Sequence, residues 1–405
     1  MKYVIVLGDG MADHPVKELN HKTPLQCANL PVINYLAKRG QVGLVKTIPG
    51  GMSPGSDTAN LSILGYSPRK YYSGRSPFEA ASMGVEMKES DISFRCNLVT
   101  LSGGEPYEEK TLLDYSAGDI SSGESTGLVA LLNKHFSTDS IKFYPGVGYR
   151  HLMIWEDGPD RWQMTPPHDI IGKQITSYLP AGEDSRVVIQ LMKESYPLLK
   201  GQEVNLERVR KGLNPANSIW IWGEGTRPNL PGFYDKYRLR GAVISAVDLI
   251  KGIAYCAGME VIEVEGATGN IYTNFVGKAE AALSALDGGQ DLVFIHIEAP
   301  DECSHHSQVN QKIKAIELID QQVVRMVKEG LDRRGEDYSL LILPDHATPL
   351  SLRTHTSEPV PFLIYRSGSA QARRPGQAFS EIGARQTGIL VEEGHRLMDL
   401  FLNKD

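Results

Sequence analysis

The chain has 405 residues, 41% hydrophobic and 22% charged, with a formal net charge of -7. That is the composition of a globular protein with ample length for a buried core, and its acidic balance, with no basic run, argues against nucleic acid as a partner. The longest apolar runs, 292–297 and 340–343, fall far short of the ~20 residues that cross a bilayer, and residues 1–7 lack the parts of a signal peptide, so neither a membrane nor secretion is expected.

Residues 2–7 read as a buried strand ending at Gly8. Pro31 and Gly40 frame a helix over 31–39, and 42–46 is a second strand. The glycine-rich loop 50–55 runs into a helix over 56–64, closed by Gly65. From about 77 to 207 the loops lengthen and the strands become broken, although 93–101 and 148–155 still read as strands. Beyond it, helices at 244–256, 274–286, 308–329 and 390–402 alternate with strands at 260–264, 292–297, 339–343 and 362–365. Such alternation predicts an α/β fold, a mostly parallel sheet with helices on both faces. The middle reads as an α+β domain, 77–207, inserted into a core made of 1–76 and 208–405. Candidate ligands lie before residue 60 and after residue 295, and one closed site requires those flanks to fold together. The cysteines Cys27, Cys96, Cys256 and Cys303 form no CxxC pair, which predicts reduced thiols and a cytoplasmic protein.

Four stretches carry chemistry. Asp9, within Gly8-Asp9-Gly10, follows the first strand at the end where open α/β sheets gather ligands. Ser56 opens a helix, where free N–H groups and the helix dipole stabilise an alkoxide or a phosphate. Walker A is excluded, because no Gly-Lys-Ser/Thr follows the glycines. Asp301 and His305 are four apart, so one helical turn or a tight loop would aim both at one metal. Asp345 and His346 follow another strand, and His355 precedes a proline-stiffened segment. Carboxylates with imidazoles suit Mn²⁺, Zn²⁺, Co²⁺ or Mg²⁺, and this set is too large for one ion and right for two. Two such ions clamp the attacking and leaving oxygens of an in-line displacement, with Ser56 activated as the nucleophile.

The set resembles the alkaline-phosphatase superfamily, and within it the archaeal-type cofactor-independent phosphoglycerate mutases. The matching stretches run in family order along nearly the whole chain. They include Gly8-Asp9-Gly10-Met11, Pro54-Gly55-Ser56-Asp57-Thr58, Gly74-Arg75-Ser76-Pro77-Phe78-Glu79, Phe94-Arg95-Cys96-Asn97, Gly266-Ala267-Thr268-Gly269 and Pro344-Asp345-His346. The resemblance implies one ion on Asp301, His305 and His355, and a second on Asp9, Ser56, Asp345 and His346, with Mn²⁺ favoured. It implies a phosphoserine at Ser56, formed from one hydroxyl of glycerate and returned to the other, under an inserted domain that closes over the substrate. Lys278 matches a family lysine near the phosphoryl group, and Arg75, Arg95 and Arg150 are candidate anion holders. The expected partner is thus a small phosphorylated hydroxy acid.

Two departures stand out. The family's Gly-His-Asp is here Ser304-His305-His306; the fourfold spacing favours His305, with His306 as competitor. Its Asp-Arg-Arg/Ser-Ala-Gly-Arg segment is here Asp114-Tyr115-Ser116-Ala117-Gly118-Asp119, which loses both arginines and gains an acid. Arginine grips carboxylates bidentately, whereas Asp114 or Asp119 would suit an ammonium group. Because the match over the core is broad, phosphoglycerate mutase is the expected activity, and the departure at 114–119 makes homoserine kinase the alternative. A non-catalytic binding homologue is a third reading, disfavoured by the intact nucleophile and ligand set.

Overall fold

The computed structural model describes residues 1–182, 184–368 and 378–403. It divides into two compact units, a core of Met1–Tyr72 with Asn229–Asp405 and an inserted unit, Ser73–Pro228.

The core is built on an eight-stranded sheet in the order Glu260–Val261, Gly241–Ile244, Leu292–Ile297, Lys2–Gly8, Tyr338–Leu343, Val360–Arg366, Gln41–Val45, Leu390–Val391. Only Val360–Arg366 runs against its neighbours. The central strands are continuous apolar runs because both faces are covered. Val4 and Val6 pack with Ile33, Ala282 and Ile316 of three helices, while Tyr3, pointing the other way, meets Phe401 of the C-terminal helix edge to face. No described helix is long and apolar enough to cross a membrane.

The α/β reading holds, with local corrections. Residues 390–402 are not one helix: Leu390–Val391 pairs with Gln41–Val45 as an edge strand, and the helix begins at Leu397. Likewise 244–256 opens with the end of a strand, Gly241–Ile244, before the helix Asp248–Cys256. Short apolar runs satisfy both periods, and pairing decides between them. The helix read over 308–329 loosens at Ile319–Val324 into a π-helical stretch.

The inserted unit has a five-stranded antiparallel sheet centred on Ile92–Leu101, with Arg150–Trp155 on one side and Ser218–Thr226 on the other. One face is covered by the helices Ser122–Phe136 and Ser185–Lys200 through Leu128, Leu132, Val188 and Met192. On the other face Ala80, from the short helix Ser76–Ser82, packs with Leu152 and Ile154. Sequence drew the limits of this unit at 77 and 207. Ser218–Thr226 lies beyond them, yet it pairs along Ile92–Leu101, so the chain leaves the unit only after Pro228.

Candidate active site

The core gathers its polar side chains at one edge of its sheet. Register puts Leu7 beside both His296 and Leu343. Asp9, Glu298 and Asp345 each stand two residues further on, so three carboxylates emerge side by side at the C-terminal ends of adjacent strands. The reversed strand Val360–Arg366 begins at that same edge, which is why His355, ahead of it, arrives there too. Gly10 makes the first turn: its φ of +59° is left-handed, and its N–H donates to Asp345 Oδ1 at 3.1 Å.

Ser56 is the first residue of the helix Ser56–Ile63, and its hydroxyl caps nothing. Instead Oγ lies 3.1 Å from His346 Nε2. One turn on, buried Asn60 donates from Nδ2 to the Ser56 carbonyl at 2.8 Å and to Asp345 Oδ2 at 3.1 Å. His346 Nε2 also lies 3.5 Å from Asp9 Oδ1 and 3.3 Å from Asp345 Oδ2. On the helix Ala299–His305, Asp301 and His305 share a face, and Asp301 Oδ2 is 3.0 Å from His305 Nε2. That nitrogen is 3.2 Å from His355 Nε2, which in turn is 3.6 Å from Asp301 Oδ1.

Two donor groups result, Asp9 with Asp345 and His346, and Asp301 with His346 and His355. Oxygen and imidazole donors fit divalent ions of the first transition row or Mg²⁺. Two further features fit as well. Asp9 Oδ1 is buried with no hydrogen-bond partner, and burial together with Asp345, Asp301 and Glu298 raises the Asp9 carboxyl well above its usual range. Crowded acids of this kind are what a bound cation relieves. His305 stands beside the second group rather than among its three donors; a hydrogen bond between Nδ1 and the Arg353 carbonyl, 2.9 Å, fixes its ring and leaves Nε2 facing Asp301 and His355. Burial opposes charge on this imidazole, but Asp301 outweighs it and raises it to about 9.

His306 points elsewhere. It is exposed, with Nδ1 2.9 Å from the Glu302 carbonyl, so the structure brings His305 and not His306 to the cluster. Lys278 is fully buried and donates to the His296 carbonyl at 2.8 Å; burial lowers its ammonium to about 8.

The remaining sequence candidates sit in the inserted unit. Arg75 Nε and Arg95 Nε lie 2.9 and 3.0 Å from the two oxygens of Glu79, and the Arg95 guanidinium stacks over Trp222. Burial would raise Glu79, yet Arg95 and Arg75 hold it below its ordinary value. Arg150 lies over the Tyr149 ring. Asp114 has both oxygens engaged by its own neighbourhood, Oδ1 by Ser116 N and Oγ, Oδ2 by Gly118 N and Asn214 Nδ2, at 2.7–2.9 Å. It therefore shapes a loop. Asp119 is exposed, with a left-handed φ of 48°.

Sequence reasoning missed His296, Asn60, Glu79 and Thr348. His296 is fully buried; its Nε2 meets Asp9 Oδ2 at 3.0 Å and its Nδ1 meets Ser245 Oγ at 3.2 Å. A histidine inside an apolar strand and an asparagine four residues after Ser56 were both visible signals. Thr348 carried none.

A model of the 2,3-bisphosphoglycerate-independent phosphoglycerate mutases matches residues 37–205. The protein of that name from Methanothrix thermoacetophila is 49% identical over 402 residues, covering 99% of this chain and 100% of its own. The chain belongs to this family. A second phosphoglycerate mutase of the family, from Methanothermobacter thermautotrophicus, is 42% identical over 405 residues, covering 100% of this chain and 98% of its own. Among solved structures, a Pyrococcus horikoshii protein superposes with a TM-score of 0.80 at 29% identity over 99% of this chain and 96% of its own. The cofactor-independent phosphoglycerate mutase of Thermoplasma acidophilum gives 0.65 at 25% identity, over 100% and 99%. The phosphoglycerate mutase family thus spans both units, including the stretch where Asp114–Asp119 departs from the motif.

Proposed function

We propose that this chain interconverts 2- and 3-phosphoglycerate through a phosphoserine at Ser56. The observation that carries this reading is the position of Ser56 Oγ, free of any capping bond and 3.1 Å from Nε2 of His346, the residue common to both donor groups. Ser56 Oγ forms the new bond to phosphorus as the bond to one glycerate oxygen breaks, and the other glycerate hydroxyl then reverses the exchange. Two divalent ions, with Mn²⁺ favoured, would be held by Asp9, Ser56, Asp345 and His346 and by Asp301, His305 and His355; bound there, they supply positive charge against the phosphoryl oxygens and lower the hydroxyl pKa. Lys278, whose ammonium burial lowers to about 8, adds a donor beside this edge. In the inserted unit, Arg75, Arg95 and Arg150 take the carboxylate that the missing motif arginines would have held, and Tyr115 replaces one of them. Four thiols without a disulfide among them accord with a cytoplasmic enzyme.

Transfer to homoserine is less well supported, because Asp114 has no oxygen left for an ammonium group. The deciding assay supplies purified protein and Mn²⁺ with 3-phosphoglycerate, reading 2-phosphoglycerate by coupled conversion, and separately with homoserine and ATP. Interconversion is the expected result. Phosphorylated homoserine with no interconversion overturns the mutase reading.

A further inference from the structure

We propose that Thr348 is a positioning residue that joins the two donor groups and sets the tautomer of His346. Its Oγ1 lies 2.5 Å from Asp301 Oδ1 and 3.1 Å from His346 Nδ1. A carboxylate only accepts, so the single hydroxyl proton goes to Asp301, and Oγ1 must accept from His346. Nδ1 of His346 therefore carries the proton. Nε2 is left with its lone pair facing Ser56 Oγ, Asp9 Oδ1 and Asp345 Oδ2. This is the form in which an imidazole ligates an ion and accepts from a serine hydroxyl.

Two features hold Thr348 in place. Its carbonyl accepts from Lys312 Nζ at 3.0 Å, and Lys312, fully buried, also pairs with Asp13 Oδ2 at 2.7 Å and donates to the Ala12 carbonyl at 3.3 Å. The ligand loop after Asp345 is thereby tied to the loop after Asp9. Gly10 leaves the space: a Cβ there would stand 2.5 Å from both Thr348 Oγ1 and Asp301 Oδ1. Only a hydrogen at this position lets the threonine and aspartate meet.

The inference rests on reading the two groups as ion sites, and the test separates the two claims. Ion-free protein labelled with ¹⁵N-histidine is compared by long-range proton–nitrogen correlation for wild type, Thr348→Val and Thr348→Ser. Wild type and Thr348→Ser should show His346 protonated at Nδ1, and Thr348→Val should lose that preference. In calorimetric titration with Mn²⁺, Thr348→Val should bind about 10–100-fold more weakly, with Thr348→Ser restoring most of the loss. Should valine not fold there, Thr348→Ala beside Thr348→Ser makes the same comparison. An unchanged tautomer and unchanged Mn²⁺ affinity in the hydroxyl-free variant overturn the role of Thr348 alone. A wild type that binds no Mn²⁺ overturns the ion reading, and the positioning role with it.

Discussion

Ser56 has no local duty: Gly55 occupies the cap position and the hydroxyl faces His346. Ser56→Ala should therefore leave stability within about 0.5 kcal/mol of wild type and lower turnover by on the order of 10³-fold or more. A thermal melt alongside the coupled assay checks both, and a variant with near-normal turnover excludes the phosphoserine. His296 works one step back. Burial lowers its imidazole to about 3, so it is neutral, donating from Nε2 to Asp9 and accepting from Ser245 at Nδ1. His296→Leu strips Asp9 Oδ2 of this donor and should cost about 1–3 kcal/mol in urea unfolding. It should also weaken Mn²⁺ binding by about 10–100-fold. If affinity is unchanged, Asp9 does not depend on this histidine for its orientation.

At the scale of elements, pairing direction decides what meets. Arg95 lies opposite Leu152, on the sheet face covered by the helix Ser76–Ser82, so its guanidinium reaches Glu79 on that helix. The same carboxylate holds Arg75, four residues back along the chain. Because the folded value of Glu79 is lowered beneath 4.5, the carboxylate binds protons more weakly folded than unfolded. Its contribution is present above pH 4.5 and disappears as pH falls through the lowered folded value. Glu79→Gln should lose about 1–3 kcal/mol at neutral pH and flatten the acid limb of the stability curve. Denaturant midpoints measured from neutral pH down past 4.5 test the sign: parallel curves for wild type and variant would remove Glu79 from the account. On the proposed role of Arg75 and Arg95 as anion holders, the variant should also raise KM for phosphoglycerate.

At the scale of the whole molecule, the inserted unit begins and ends at one place. Ser73 Oγ donates to the Thr226 carbonyl at 2.6 Å, and Thr226 N donates back to the Ser73 carbonyl at 3.3 Å. With its own core around Phe94, Met153 and Trp220, a fragment of 73–228 should fold by itself and melt cooperatively. A fragment of 77–207, cut where composition alone suggested, lacks the strand Ser218–Thr226 that fills one side of Ile92–Leu101 and should stay unfolded or aggregate. Circular dichroism melts of the two fragments decide this; equal folding of both would show that the strand is dispensable.

Much of this protein was legible before any coordinates. Apolar runs of strand length, one ending in Gly8-Asp9 and another in Pro344-Asp345-His346, announce a parallel sheet whose C-terminal edge collects acids. The fourfold spacing of Asp301 and His305 announces one helical face. Those are local facts, carried by residues a few positions apart. Tertiary structure alone decided the rest, because it depends on register between strands distant in the chain. The single reversed strand brings His355 to the ligand edge, the flanking strands align Asp9 with Asp345, and the close approach at Gly10 lets Thr348 link Asp301 to His346. Asp114 makes the same point in reverse: its sequence context suggested a ligand contact, and its hydrogen bonds are spent within its own unit, on the loop that follows it and on Asn214.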